Sequence, residues 1–295
     1  MILLEKCPLC GGMHLKQIIK CMDHTASKES FNIVSCETCG FTLTNPRPSQ
    51  SEIGRYYDSE MYISHTNSSK GIFNWTYQTI RKLAIKQKVS LLKKESRIGA
   101  HLDIGCGTGE FLNACKKEGF VVEGVEPSVK AKKQAEKNYK LKVSDDISLK
   151  QYKEKQFDSI SMWHVLEHVT ELDKTLSEIN RILKSNGKLF VAVPNHKSWD
   201  AKHYKQYWAA WDVPIHLWHF SEKTISILLK KHDLSLVRSK GMMFDSFYVS
   251  LLSEEFAYGR KNPVKAFVAG IVSNLFGLFS NIGYSSMIYI FEKKH

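Results

Sequence analysis

The stretch His101-Leu-Asp-Ile-Gly-Cys-Gly-Thr-Gly109 constrains this chain more than any other. An apolar run of strand length enters a turn in which Gly105, Gly107 and Gly109 fall at alternate positions, and a helical pattern begins at Glu110-Phe111-Leu112. Glycine has no Cβ, so such a turn can take positive φ and lie close to a polar ligand. A second apolar run, Phe120 to Val125, ends in the carboxylate of Glu126. In a parallel α/β sheet, that strand end is where an acid can accept hydrogen bonds from ribose hydroxyls.

The alternation continues beyond these two strands. Strand patterns at 101–105, 120–125, 141–143, 157–163 and 187–193 enclose helical patterns at 110–118, 128–138 and 171–184. This spacing predicts an α/β fold, a doubly wound parallel sheet with helices on both faces and ligands at the carboxyl ends of its strands.

Taken together, Asp103 with the three glycines, Glu126, the Val143-Ser-Asp-Asp146 strand end, the segment Phe157 to Val169 and the segment Arg181 to Asn195 resemble the motifs of class I S-adenosylmethionine-dependent methyltransferases. The resemblance covers roughly residues 97 to 240 and is specific for the cofactor rather than the acceptor. It implies a Rossmann-like sheet whose last two strands, Leu234–Val237 and Ser286–Phe291, form an antiparallel hairpin. It implies that Asp103, Gly105, Cys106, Gly107, Glu126, Asp146, Trp163 and His164 bind S-adenosylmethionine. Ser144 or Asp145 would replace Asp146 if the register slips.

The chain holds seven cysteines. Its apolar N-terminal run is too short for a signal peptide, so a cytoplasmic location with reduced thiols is expected, and cysteine spacing points to metal. Cys7-Pro-Leu-Cys10 and Cys36-Glu-Thr-Cys39 are two Cys-x-x-Cys knuckles followed by glycine, the pattern of a closed structural zinc site. A redox pair would need one knuckle in a thioredoxin-like βαβ unit, which the sequence lacks. Cys21 reads as a small buried residue. Asn45-Pro-Arg-Pro-Ser49 holds the chain extended and closes a ribbon over residues 1–45. Residues 46–96 then read as a helical cap: a short capped helix at Ser51–Tyr57, a polar stretch Ser64–Lys70, and a basic amphipathic helix over Phe73–Lys94. Tyr56, Tyr57, Tyr62, Trp75 and Tyr77 are candidates to line the pocket, with plain packing as the alternative. The order of ribbon, Asn-Pro-Arg-Pro and tyrosine-rich segment also resembles bacterial small-molecule methyltransferases.

A net charge of +12 favours anionic partners, but the basic residues are spread out, so a solvated surface is expected and nucleic acid is not. His164-Val-Leu-Glu-His168 matches a zinc-protease pattern, yet it begins at a strand end, whereas a protease needs the two histidines on an established helix with a third ligand downstream. The segment also resembles methyltransferases of quinone-precursor catechols, which hold a divalent cation with Glu and His. Glu167 and His168 match, but His164 stands where an acid is expected, so packing and capping are the favoured roles.

The segment His203 to Phe220 is crowded with rings on an expected loop and reads as an acceptor pocket or lid. Within it His216 and His219 are the candidate catalytic bases, because a neutral imidazole can take a proton from a hydroxyl as the methyl transfers; bracing the loop is the alternative. Ser221 is the expected N-cap of a helix running to Lys231. Residues 97–295 form the expected catalytic domain, with an insertion at about 241–283. There Val264, Val268, Ile271, Leu275, Phe279 and Ile282 make one apolar stripe, and Ala266, Gly270, Ser273, Gly277 and Ser280 a small one. An amphipathic helix over 263–283 is expected, covering the acceptor pocket or touching the inner face of a membrane. The expected activity is methyl transfer to a small or lipophilic acceptor; the rivals are methylation of RNA or protein, and cofactor binding without turnover.

Overall fold

The computed structural model describes residues 1–57, 72–280 and 283–294, and the side chains of 72–78 are not described. Tyr62, Trp75, Tyr77, Ile282 and the Ser64–Lys70 stretch, or their side chains, therefore lie outside the described residues. The N-terminal ribbon is an antiparallel sheet of β1 (Leu15–Met22), β2 (Ser30–Cys36) and β3 (Thr42–Thr44). The expected helix at 51–57 is a single 3-10 turn, Ile53–Tyr56.

Helix α1 (Ile72–Glu95) leads into β4 (Ala100–Ile104), α2 (Glu110–Lys117), β5 (Val121–Val125), α3 (Val129–Tyr139), β6 (Val143–Ser144) and β7 (Phe157–Trp163). After these come α4 (Leu172–Ile182), β8 (Leu183–Pro194), α5 (Trp199–Tyr204), β9 (Trp218–His219), α6 (Glu222–Lys230) and β10 (Leu234–Met242). Helices α7 (Asp245–Tyr258) and α8 (Pro263–Ser280) precede the final strand β11 (Ser286–Lys293). Local signals set several boundaries: the Ser128 hydroxyl accepts from the Ala131 N–H at the start of α3, and Ser221 with Thr224 forms a capping box on α6.

The main sheet has the order β10-β11-β8-β7-β4-β5-β6, with β4 to β8 parallel and β11 antiparallel to both of its neighbours. This is the expected α/β architecture with an antiparallel last strand. Both faces are buried where β8 and β11 run apolar, over Leu189–Val193 and Met287–Phe291, because the side chains of a strand alternate. Leu189, Val191 and Val193 join one core with α4 and α6, whereas Phe190 and Ala192 join another with Val89, Leu92 and Phe111.

Three features depart from expectation. The ribbon is not closed by its own chain: β9 pairs antiparallel with β3, Thr42 opposite His219 and Leu43 opposite Trp218. Most rings of residues 203–220 form no lid, although His216 lines a cavity at the carboxyl edge of the sheet. Tyr204, Trp208 and Trp211 are buried against Cys21, Phe31, Ile33 and Tyr56 of the ribbon side, where they form the seam between ribbon and sheet. The insertion holds two packed helices rather than one, and α7 carried no clear amphipathic signal.

Helix α8 packs with its small stripe inward. Ala266, Ala269, Gly270, Ser273 and Gly277 are buried, while Val264, Phe267, Val268, Ile271, Leu275 and Phe279 are exposed. A Cβ on Gly270 would lie 2.5 Å from Cδ1 of Phe247, and one on Gly277 would lie 2.6 Å from the Tyr284 ring. Close approach thus excludes any larger residue at positions 270 and 277.

Candidate functional site

Gly105, Gly107 and Gly109 all take positive φ, at +73°, +54° and +84°. A Cβ on Gly105 would meet Val165 at 2.4 Å and one on Gly109 would meet Leu141 at 2.6 Å, so both permit tight packing around the turn. Gly107 differs: nothing lies within 4 Å of its absent Cβ, so the turn faces open space there. Its N–H donates to Oε2 of Glu126 at 2.8 Å, and the other carboxylate oxygen accepts from the Ser128 N–H at 2.9 Å. Glu126 therefore ties the glycine turn to the end of β5.

Asp103 lies buried beneath the turn and accepts from the Ser161 hydroxyl at 2.5 Å. Burial raises its carboxyl to about 7, against the Ser161 hydrogen bond and the Lys88 charge. Trp163 ends β7 edge-on to Phe111, with Nζ of Lys88 4.5 Å from its ring centroid. Two of the expected cofactor residues differ in how their side chains are placed. The Cys106 side chain turns into a core cluster with Leu112, Ala135, Leu141 and Val143, which leaves its backbone as the part that lies in the turn. Asp146 is exposed on its own loop, where its carboxylate accepts from the Ser148 N–H at 2.9 Å.

Further along the same carboxyl edge lies a cavity of about 950 Å³. One wall is α1, through Ile80, Arg81, Ala84 and Lys88, and the other is the α7–α8 pair, through Phe244, Phe247, Leu251, Leu252, Phe256 and Phe267. Its polar end holds His164, His168, Asp212, His216 and Asp245. The size suits an organic molecule, and the mixture of a long apolar wall with a few clustered polar groups suits an amphiphilic one.

His164, with φ +58°, lies between two carboxylates: Nε2 is 3.0 Å from Oδ2 of Asp245 and Nδ1 is 3.3 Å from Oε1 of Glu167. Burial alone would lower its pKa, but the bonds and charges of Asp245 and Glu167 prevail and raise it to about 9. At neutral pH it is a cation that fastens the start of α7 to the end of β7.

His216 and His168 are different in kind. Nδ1 of His216 donates to the Ala210 carbonyl at 3.0 Å, and Nδ1 of His168 donates to the Ile215 carbonyl at 3.1 Å. A carbonyl only accepts, so each ring keeps its lone pair on Nε2. Burial lowers both pKa values, that of His168 to about 4, so both rings are neutral near pH 7. Tyr57, an expected pocket residue, reaches Nδ1 of His168 with its hydroxyl at 3.1 Å. One ligand atom each from Glu167, His168 and His216 lies within 4.8 Å of the others; Oε1 of Glu167 faces the His164 ring, and Oε2 has no hydrogen-bond partner.

His219 does not reach the cavity. It is buried in β9 with Nε2 3.1 Å from the Thr44 hydroxyl, and Thr44 also donates to the His216 carbonyl at 2.7 Å. Of the two expected bases, His219 is thus a brace between ribbon and body. Asp212, Asp245 and Lys88 were not expected at the site. Asp212 and Lys88 sit within ring-rich and basic segments that mask them, and Asp245 opens a helix without a local signature.

In the ribbon, Sγ of Cys7 lies 3.6 Å from that of Cys39, and Sγ of Cys10 lies 3.6 Å from that of Cys36. A tetrahedron with zinc–sulfur bonds of about 2.3 Å has sulfurs about 3.8 Å apart, so the four thiols fit a zinc ion.

Comparison with known proteins agrees with this geometry. A ubiquinone biosynthesis O-methyltransferase from Pelagibacter ubique is 33% identical over 160 residues, which cover 49% of this chain and 65% of that protein. An uncharacterized protein from Methanocaldococcus jannaschii is 32% identical over 151 residues, covering 50% of this chain and 63% of that one. The chain thus spans less than two thirds of the length of the curated relatives it matches. Among solved structures, a SAM-dependent methyltransferase from Archaeoglobus fulgidus has a TM-score of 0.52 at 21% identity, covering 76% of this chain and 100% of that one. Phosphoethanolamine N-methyltransferase 2 from Haemonchus contortus has a TM-score of 0.55 at 19% identity, covering 86% and 63%. At these identities the likeness is one of fold. The sequence profile of the methyltransferase domain family matches residues 77–239, more than half of the chain, and the protein belongs to that family.

Proposed function

We propose that this protein transfers the methyl group of S-adenosylmethionine to a hydroxyl on a lipophilic small molecule. The observation that carries the reading is the amphiphilic cavity on the carboxyl edge of the sheet that also bears the Gly105–Gly109 turn. The open space at Gly107 and the Glu126 carboxylate suit the donor's methionine and ribose moieties. The phenylalanine and leucine side chains of α7 and α8 suit an acceptor's chain, and the neutral His216 suits its hydroxyl. The name of the Pelagibacter relative, a ubiquinone biosynthesis O-methyltransferase, agrees with this acceptor class.

Methyl transfer needs the acceptor oxygen in line with the sulfonium carbon and water kept out, because the sulfonium is reactive by itself. The oxygen forms its bond to the methyl carbon as the carbon–sulfur bond breaks, giving a neutral thioether. Nε2 of His216 takes the hydroxyl proton, and the Glu167 charge, with the Ala210 carbonyl on Nδ1, steadies the resulting imidazolium.

A second reading rests on Glu167, whose carboxylate is buried with Oε1 facing His164 and Oε2 without a hydrogen-bond partner. Glu167, His168 and His216 suit a divalent cation, each histidine being oriented by a backbone carbonyl as metal ligands commonly are. Such a cation would supply a Lewis acid for the acceptor oxygen. Titration with Mn²⁺ followed by electron paramagnetic resonance separates the readings: binding lost in Glu167→Gln favours the cation, and no binding to the wild type favours the free base.

The ribbon supports zinc as a structural ion. The test of the main reading is release of S-adenosylhomocysteine with a long-chain alkylcatechol, with plain catechol, RNA and protein extract as alternatives. Methyl uptake by the alkylcatechol is expected; uptake only by RNA or protein would overturn it.

A further inference from the structure

We propose that the outward face of α8 docks on an anionic phospholipid bilayer and that an acceptor dissolved there enters the cavity between α7 and α8. The entry route rests on the methyl-transfer reading above, whereas docking stands on the surface itself.

The polarity of α8 is inverted relative to a helix that covers a core. Its small residues face the protein, and its large apolar ones face outward, with Val264 at 74% and Phe279 at 88% exposure. Water gives no reason to display such a row, and contiguous apolar patches of this kind mark interaction surfaces. The helix is long and apolar enough to cross a membrane, yet its inner face is fastened to the body. The Ser273 hydroxyl donates to Asp200 at 2.7 Å, and Nδ2 of Asn274 donates to the Met243 carbonyl at 2.8 Å. A helix so anchored lies along a membrane surface and does not span it.

Charge selects the occupant. No acidic residue occurs between Glu255 and Glu292, and Arg260, Lys261 and Lys265 cluster at the start of α8; Lys261 pairs with Glu255 at 3.6 Å, which leaves the cluster a net positive charge. Anionic headgroups complement this end while the apolar face meets the acyl boundary. The surface is also continuous with the cavity: Pro263, Ala266 and Phe267 line it, and Phe267, stacked on Phe247, is more than half exposed. The mouth therefore opens at the face that would rest on lipid, and the polar cluster at His216 receives the head of a molecule whose chain remains in the apolar part.

The experiment is co-sedimentation of the full chain with vesicles of phosphatidylcholine alone and of equal parts phosphatidylcholine and phosphatidylglycerol. Wild type is expected to pellet with the anionic vesicles. The Leu275→Glu, Phe279→Glu double variant is expected to stay in the supernatant while it keeps wild-type S-adenosylmethionine affinity by calorimetry. Lys261→Glu with Lys265→Glu should weaken vesicle binding on the order of tenfold, and added salt should do the same. Wild type in the supernatant, or glutamate variants that pellet like wild type, would overturn the proposal. So would a wild-type dimer in sedimentation velocity that becomes monomeric in the variants without any vesicle binding, because the face would then be a contact between copies. Vesicle binding without S-adenosylhomocysteine release from any acceptor would sink the methyl-transfer reading and leave docking intact.

Discussion

The backbone N–H of Gly107 donates to the Glu126 carboxylate at 2.8 Å, which joins a loop after one strand to the end of its neighbour. The same carboxylate accepts from Ser128, so half of its four lone-pair sites remain for a ligand. Glu126→Gln keeps the shape but removes the charge. We expect S-adenosylmethionine affinity to fall about 10- to 100-fold, the worth of hydrogen bonds to a charged group. Gly107→Val should abolish binding, since its side chain would fill the open space and strain a φ of +54°. Calorimetry with circular dichroism checks both; unchanged affinity in a folded Gly107→Val protein would place the donor elsewhere.

His216 and His219 provide a paired test. His216→Gln should lower kcat by about 10²- to 10⁴-fold with donor affinity retained, as for loss of a general base. His219→Gln should leave the pH profile of kcat/KM unchanged but lower stability by about 1–3 kcal/mol, because Thr44 loses a buried partner. Steady-state kinetics beside thermal unfolding distinguishes the two, and equal kinetic losses would contradict the assignment.

The ribbon should carry one zinc per chain. Because β3 pairs with β9, and Thr44 bonds His216 and His219, its loss should be felt at the catalytic end as well. Cys36→Ser should reduce zinc content in elemental analysis and lower both the Tm and kcat. Full zinc retention in that variant would refute the ligand set.

The His164–Asp245 pair makes a prediction about pH. The pKa of His164 is raised to about 9 from an ordinary value of 6.5, so its stabilisation is fully present below about 6.5 and disappears as pH rises through about 9. The side chain is one-third exposed, so solvent screening holds the contribution to roughly 1–2 kcal/mol. Unfolding midpoints between pH 6 and 10 should show this loss in the wild type and a flatter profile in Asp245→Asn. The same slope in both proteins would show that the pair does not fasten α7.

Features legible in the sequence were those whose signal is local. The glycine turn needs positive φ at residues two apart, the knuckles place two thiols within one turn of chain, and the continuous apolar runs of β8 and β11 record burial on two faces. Each is written within a dozen residues, because backbone geometry alone links pattern to structure. The sequence also displayed both stripes of α8, but their orientation depended on contacts from elsewhere. Phe247 and Tyr284 approach so closely that only glycine fits at 270 and 277, and this turned the large residues outward. Likewise His216 and His219 share one short ring-rich segment and look alike in sequence. Pairing of β9 with β3, more than 170 residues away in the chain, buries His219 at the seam and leaves His216 on the cavity wall. A residue's chemical role follows from what surrounds it, and those surroundings come from chain segments that no local pattern connects.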